Sequence, residues 1–284
     1  MGDSTRGHAT NLQRSGGGAK GFTLTELLVV IAIIALLMAI LMPSLNLARK
    51  QARSAGCKMN MHSWGLIWDI YCEDNNGLFP DSLSAQYSWP RGTWIVALRD
   101  KWDTRSDILR CPSAVKRPPN TPEWGSSKYS YIMGQTSDGA EPEECSYGAN
   151  CWIYNFRAGV TTIQWRPTAY NWRSKSIRQA YRIPIFGDAL WRGGGPAEAG
   201  MHGDPAAYKD EWNGYDYEMQ HFCIDRHNGF VNQLFMDWSA RTVGLKELWT
   251  LKWHRQFNTR GYYTKGGGIE PSQWPQWMRR FKDY

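Results

Sequence analysis

Gly21-Phe22-Thr23-Leu24-Thr25-Glu26-Leu27-Leu28-Val29-Val30 opens the stretch that decides the fold, and an apolar run carries it on to Leu41-Met42, just before Pro43. No polar residue occurs from Leu27 to Met42. With Phe22 to Thr25 ahead of it, the segment reaches about 20 residues, the length a helix needs to cross a hydrocarbon core. An ionised side chain is costly in such surroundings, so Glu26 calls for a compensating role. A secretory signal has a shorter apolar core with a small-residue cleavage site behind it. Here Pro43, Ser44 and Leu45 follow instead. A plain membrane anchor matches the length but accounts for none of Gly21, Phe22 and Glu26 together.

Upstream, residues 1–20 are rich in Gly, Ser and Thr, with Gly16-Gly17-Gly18 among them. They read as a flexible, disposable leader. The leader carries Arg6, Arg14 and Lys20 against Asp3, and Arg49, Lys50, Arg53 and Lys58 follow the run. Charge therefore does not fix orientation. Downstream, Leu45, Ala48, Ala52, Ala55, Met59, Leu66 and Ile70 recur at three-, four- and seven-residue steps, which predicts one packed face of a helix. Asn75-Asn76-Gly77 supplies its stop. One helix is expected from Phe22 to about Glu73, bent or loosened at Pro43.

The chain of 284 residues is long enough for one sizeable soluble domain beyond the apolar segment. Its formal net charge of +7 is spread along the sequence. The cluster from Arg49 to Lys58 reads as a solvated helix face. No nucleic-acid motif accompanies it, and no nucleic-acid partner is expected. From Gly77 to about Ala207 the sequence is loop-rich. Trp94–Leu98, Tyr129–Met133, Trp152–Phe156 and Ile183–Phe186 are short apolar pieces that suit strands or single turns. Later, Gly229–Met236 and Ala240–Val243 flank Asp237-Trp238-Ser239 and predict a hairpin. Leu245–Trp253 then reads as a short helix with Leu248 and Trp249 inward. The expected class is α+β: a long N-terminal helix, apolar and then amphipathic, with a small antiparallel sheet in a loop-rich head.

No nucleophile elbow, P-loop or dinucleotide fingerprint occurs. His221, Asp225 and His227 lie close in sequence, with Asp237 a candidate neighbour. Such a set suits metal or acid–base chemistry, but the expected role is to lock the turns of the hairpin. The six cysteines (57, 72, 111, 145, 151 and 223) allow 15 pairings. Cys57 and Cys72 would stand about 22 Å apart on one helix and cannot bridge. Cys145 and Cys151 are near enough in sequence to close a small loop. Free buried thiols and disulfides both remain open, and without CxxC spacing a zinc site is not expected. The sixteen tryptophans are expected to pack inward and compensate for the loop-rich fold.

The segment from Gly21 to Val30 resembles the processing site of type IV prepilins and type II secretion pseudopilins. The resemblance implies that a membrane peptidase, the prepilin peptidase, cuts after Gly21 and methylates the new terminus at Phe22. It implies that Glu26 pairs with the terminal ammonium of a neighbouring subunit during assembly. A carboxylate and an ammonium attract strongly in a low dielectric, which favours one register. Pilin-like relatives also carry a proline near Pro43. The tail is similar to a planctomycete-type group with a C-terminal H-x9-D-G pattern, matched by His227 and Asp237, although Trp238 stands where glycine is usual. Cys57, Asp74–Gly77 with Phe79-Pro80, Arg110–Ser113 and Ser146–Asn150 match the same group.

The resemblance divides the chain into a leader (1–21), a pilin-type helix (22–75, transmembrane about 23–43) and an extracytoplasmic head (76–284). It implies a single-pass inner-membrane protein that moves into a pilus or pseudopilus filament. The implied partners are the prepilin peptidase, other pilin or pseudopilin subunits, an inner-membrane assembly platform and the lipid bilayer. A structural, non-enzymatic role in filament assembly or protein secretion is expected. No cofactor is called for, apart from the calcium that some pseudopilins hold in a C-terminal loop. Asp204, Asp210, Asp216 and Asp225 are available for it but lack EF-hand spacing. The alternative is a membrane-anchored extracytoplasmic glycan-binding protein or hydrolase, whose mark would be an exposed tryptophan row beside an acidic cleft.

Overall fold

The apolar run and the amphipathic stretch form a single helix, α1, Leu24–Asp74, in a computed structural model that describes residues 21–81, 90–102, 107–134, 143–197, 200 and 203–284. The expected leader, residues 1–20, lies outside the described residues. The chain divides into two units, Met1–Ala48 and Arg49–Tyr284, so the boundary falls within α1. In the first unit every residue from Gly21 to Ala48 is exposed. By length and composition this part of the helix could cross a membrane. Pro43 cannot donate a helical hydrogen bond, yet the helix runs through it uninterrupted. At the far end Asn76 and Gly77 take positive φ (56° and 76°). Gly77 N–H closes back onto the Cys72 carbonyl at 2.7 Å, a glycine-type stop.

The packed face of the second half of α1 is not the predicted one. Ala48, Ala52, Ala55, Met59, Leu66 and Ile70 are all exposed, and Leu45 with them. The buried side is Cys57, Met61, Trp64, Gly65, Ile67, Trp68 and Cys72. Both faces have helical spacing. The large rings settle which one packs, because a tryptophan removes far more apolar area from water than an alanine. Trp64 sits amid Trp94, Trp102 and Phe186, with ring centroids 5.3, 5.2 and 5.0 Å away. Gly65 lets the helix approach the Leu234 side chain and the Trp238 carbonyl.

The strands are β1 (Tyr131–Ile132), β2 (Glu144–Cys145), β3 (Tyr147–Asn150), β4 (Thr162–Ile163), β5 (Arg166–Pro167), β6 (Pro184–Asp188), β7 (Gly193–Gly194), β8 (Phe230–Phe235) and β9 (Ala240–Gly244). The main sheet has the order β7-β3-β6-β8-β9. It is antiparallel except for the edge pair β3–β7, which is parallel, so the sheet is mixed and not the purely antiparallel one expected. The β8–β9 hairpin forms as predicted. Trp238 takes φ 65° where glycine is usual. Its N–H meets the Phe235 carbonyl at 2.9 Å and Phe235 N–H meets the Ser239 carbonyl at 2.8 Å. This is a type I turn followed by a left-handed residue. Thr93–Ala97 forms a short helix, α2, and Leu245–Thr250 a 3-10 helix that buries Leu248 and Trp249. The fold is α+β.

Loops are held by indole donors as much as by ladders. Trp64 donates to the Ile108 carbonyl (2.9 Å), Trp94 to Arg192 (2.7 Å), Trp152 to Pro196 (3.0 Å), Trp172 to Trp253 (2.9 Å) and Trp249 to Gly203 (2.7 Å). Each ring thus buries area and satisfies a backbone acceptor at the same time. A buried ionic knot joins three further loops. Glu218 is 0% exposed, and its carboxylate accepts from Arg91, Arg166 and the Gly195 N–H. Burial opposes its charge, but the two guanidiniums outweigh that and hold its pKa below the ordinary carboxylate value.

Candidate functional site

The head of α1 shows how the chain itself treats Glu26. Thr23 precedes the first helical residue. Its N–H and hydroxyl both donate to Glu26 Oε2, at 2.9 and 2.8 Å, and its Oγ1 accepts from Glu26 N at 3.2 Å. Thr-Leu-Thr-Glu is therefore a reciprocal capping box. The carboxylate is not without partners in a single chain, and it also suits the positive end of the helix dipole. Gly21 and Phe22 are exposed ahead of this cap. Among the described residues beyond its chain neighbours, none comes within 4 Å of where a Gly21 side chain would begin.

A second site lies inside the unit Arg49–Tyr284. Cys57 on α1, Cys111 in the loop after Leu109, Asp188 at the end of β6 and His227 ahead of β8 converge. One ligand atom from each lies within 4.8 Å of all the others. Cys57 Sγ is 3.6 Å from both Asp188 oxygens. Cys111 Sγ is 3.4 Å from His227 Nε2, which is 3.1 Å from Asp188 Oδ2. Around them, Tyr147 Oη donates to Cys57 Sγ at 3.5 Å and Ser113 N to Cys111 Sγ at 3.4 Å. His227 Nδ1 faces Ser113 Oγ at 3.4 Å. Asn232 N (2.8 Å) and Arg226 Nη1 (3.0 Å) donate to Asp188.

Charge in the site is finely balanced. Burial raises the Cys57 thiol well above its ordinary value. Burial raises Cys111 as well, but hydrogen bonds from Cys57 and His227 and the Arg226 charge outweigh it and bring Cys111 to about 6. His227 is lowered by burial and raised more strongly by Asp188, to about 10. The Arg226 guanidinium and an imidazole drawn toward its charged form thus face Asp188 and a Cys111 thiol drawn toward ionisation. A nucleophilic relay requires the thiol and the carboxylate on opposite imidazole nitrogens. Here both face Nε2, and Cys111 is 0% exposed. The arrangement suits ligation or structural pairing.

The candidate grouping of His221, Asp225, His227 and Asp237 is not brought together, and Asp225 and Asp237 instead bond within the turns on either side of β8, the role expected of them. His221 is buried against Trp212, with its ring nitrogens on the carbonyls of Gly193 and Gly214. Asp225 accepts from Gly229 N, and Asp237 accepts from Ser239 in its exposed turn. His227 joins residues far away in sequence because the chain ahead of β8 turns it toward α1 and β6. Two of the calcium candidates are engaged in separate contacts. Asp204 accepts from Gly200 N and Tyr263, and Asp210 from Ser127. All six cysteines are free and buried. Among the described residues no tryptophan row faces solvent: Trp124 is exposed and stacks on Trp212.

Sequence reasoning missed the cysteine pair, Asp188 and their meeting with His227. No two of the four lie within one short motif. A signal was nevertheless present, since Cys57, the Cys111–Ser113 segment, Tyr147 and His227 all belong to pieces singled out for their resemblance.

Residues 17–42 match the family described as Prokaryotic N-terminal methylation motif. Over 58 residues the chain is 48% identical to the type IV wide pilus major component PilA4 of Thermus thermophilus, a match that covers 20% of this chain and 44% of that protein. No solved structure matches the chain. With the exposed apolar helix and its capped glutamate, these findings show that the chain carries the N-terminal methylation segment of type IV pilin-like proteins.

Proposed function

We propose that this chain is a subunit of a type IV pilus-like or type II secretion pseudopilus filament. In this reading the prepilin peptidase cuts after Gly21, Phe22 becomes the methylated terminus, and the apolar half of α1 moves from the bilayer into a filament core. The observation that carries the reading is the run Leu24–Leu47, exposed at every position and headed by a single carboxylate. Such a surface is stable in lipid or against like helices and not in water. The aliphatic face of Met59, Leu66 and Ile70, also uncovered, adds apolar surface for contact between subunits.

Glu26 serves two states in turn. In the single chain Thr23 satisfies its oxygen. In the filament the ammonium of an adjoining Phe22 would take over, at an oxygen that the cap holds at the helix start. The inner-membrane platform, the extracytoplasmic placement of residues 76–284 and the role of the leader belong to the same reading. N-terminal mass spectrometry of the native protein tests it. The expected mature chain begins at N-methylated Phe22. An intact Met1 terminus, or cleavage beyond Pro43, overturns it.

A further inference from the structure

We propose that Cys57, Cys111, Asp188 and His227 form a closed structural site for a divalent transition metal of borderline softness, with zinc the best match. The inference rests on the unit Arg49–Tyr284 alone and is independent of how the N-terminus is processed.

Geometry is the first support. Zinc bound at about 2.3 Å from sulfur and 2.0–2.2 Å from nitrogen or oxygen in a tetrahedron places its ligands about 3.3–3.8 Å from one another. The separations here are 3.6 Å between Cys57 Sγ and Asp188, 3.4 Å between Cys111 Sγ and His227 Nε2, and 3.1 Å between His227 Nε2 and Asp188 Oδ2. Four side chains from four separate segments already bring one ligand atom each to within 4.8 Å of all the others. All four are protein ligands, and Cys57, Cys111 and Asp188 are 0% exposed. A site with no open position is a structural one.

Ligand chemistry is the second. Two sulfurs, an imidazole and one carboxylate are a donor set for zinc, and a poor one for calcium or magnesium, which take oxygen. Charge also closes. Two thiolates and Asp188 carry three negative charges, which the ion and Arg226 neutralise. Arg226 Nη1 is bonded to Asp188 Oδ1, fully buried and placed as an outer partner. The third support is the outer shell. The Ser113 hydroxyl lies on His227 Nδ1 and so presents Nε2 to the centre, while Ser113 N and Tyr147 Oη donate to the two sulfurs. Histidine and thiolate ligands are characteristically held this way. On binding, any proton still carried by a ligand sulfur or by His227 Nε2 passes to solvent.

The test uses the full chain, purified in detergent without chelator, with metal content read by plasma mass spectrometry. The expected result is about one zinc per chain, lost in C111S and H227Q and retained in C223S, whose sulfur lies elsewhere beside Met278. Ser113→Ala should bind zinc about 10–100-fold more weakly. Because ligand variants could fail to fold, the wild-type chain carries a second readout. Stripped and refilled with cobalt, it should show the visible bands of a tetrahedral ion and a thiolate charge-transfer band. Absence of both zinc and that cobalt spectrum in the wild type overturns the proposal. So does zinc retained in folded C111S and H227Q, or a Cys57–Cys111 disulfide found by non-reducing peptide mapping.

Discussion

Glu218→Gln should destabilise the unit Arg49–Tyr284 severely, and the reason lies in what the carboxylate faces. Oε1 accepts from both Arg91 and Arg166, and Oε2 accepts from Gly195 N. The side chains of both arginines are 3% exposed. The glutamine can offer an oxygen to the arginines, but its amide nitrogen then meets the Gly195 N–H, donor against donor. Two guanidiniums also lose their counter-charge in a dry interior. Removing one member of a buried ion pair costs about 3–5 kcal/mol, against a whole-domain stability of about 5–15 kcal/mol. For a unit of this size that is a fall of about 6–20 °C in the melting midpoint.

Near-ultraviolet circular dichroism, strong because of the sixteen tryptophans, would follow unfolding of the detergent-solubilised chain. The pH dependence gives a second check. The folded pKa of Glu218 is depressed below its ordinary 4.5. Its contribution is therefore fully present above the unfolded pKa and is lost as pH falls toward the folded one. The gap between wild type and variant should be widest near neutrality and shrink below about pH 4.5. Equal midpoints at neutral pH, or a gap unchanged by acidification, would refute the reasoning.

Three further outcomes are expected. Glu26→Gln keeps a side chain able to complete the capping box with Thr23 but removes the charge. Like Glu26→Ala, it should reach the membrane and fail in a filament or pulldown assay, and normal assembly of the glutamine variant would show that capping, not charge, is what matters. Gly148→Ala would place a methyl group 2.5 Å from the Trp191 carbonyl and 3.0 Å from Gly193 N; forcing β3 from β7 should cost about 1–3 kcal/mol, and an unchanged denaturation midpoint would count against this account. Trp64→Ala removes the centre of the ring cluster together with the indole donor to the Ile108 carbonyl, so a loss of about 3–5 kcal/mol is expected by urea unfolding; a loss under about 1 kcal/mol would mean that the cluster is not the core.

What the sequence revealed depended on the range of the signal. The long helix and its stop were legible because their causes are local: an unbroken apolar run, and Asn76-Gly77 able to take positive φ. The β8–β9 hairpin was legible for the same reason. The packed face of α1 was misread because aliphatic periodicity pointed to Met59, Leu66 and Ile70, whereas Trp64 and Trp68, a few positions round the helix, carried the larger burial. The parallel pairing of Gly193–Gly194 with Ala149–Asn150 has no local signature. The cluster at Cys57 was invisible for the deepest reason: its four members share no motif, and only the tertiary fold brings them together.

That distance along the chain has a consequence for how the protein is made. Asp188 is 131 positions beyond Cys57, and His227 is 116 beyond Cys111. Contacts of such long range close late and slowly. A ribosome finishes α1 long before its partners on that face exist, so the cover over Cys57 and its neighbouring rings is complete only once the closing strands β8 and β9 are synthesised. Any nascent chain halted before His227 would leave that greasy, thiol-bearing flank open to capture by a chaperone or by another copy of itself.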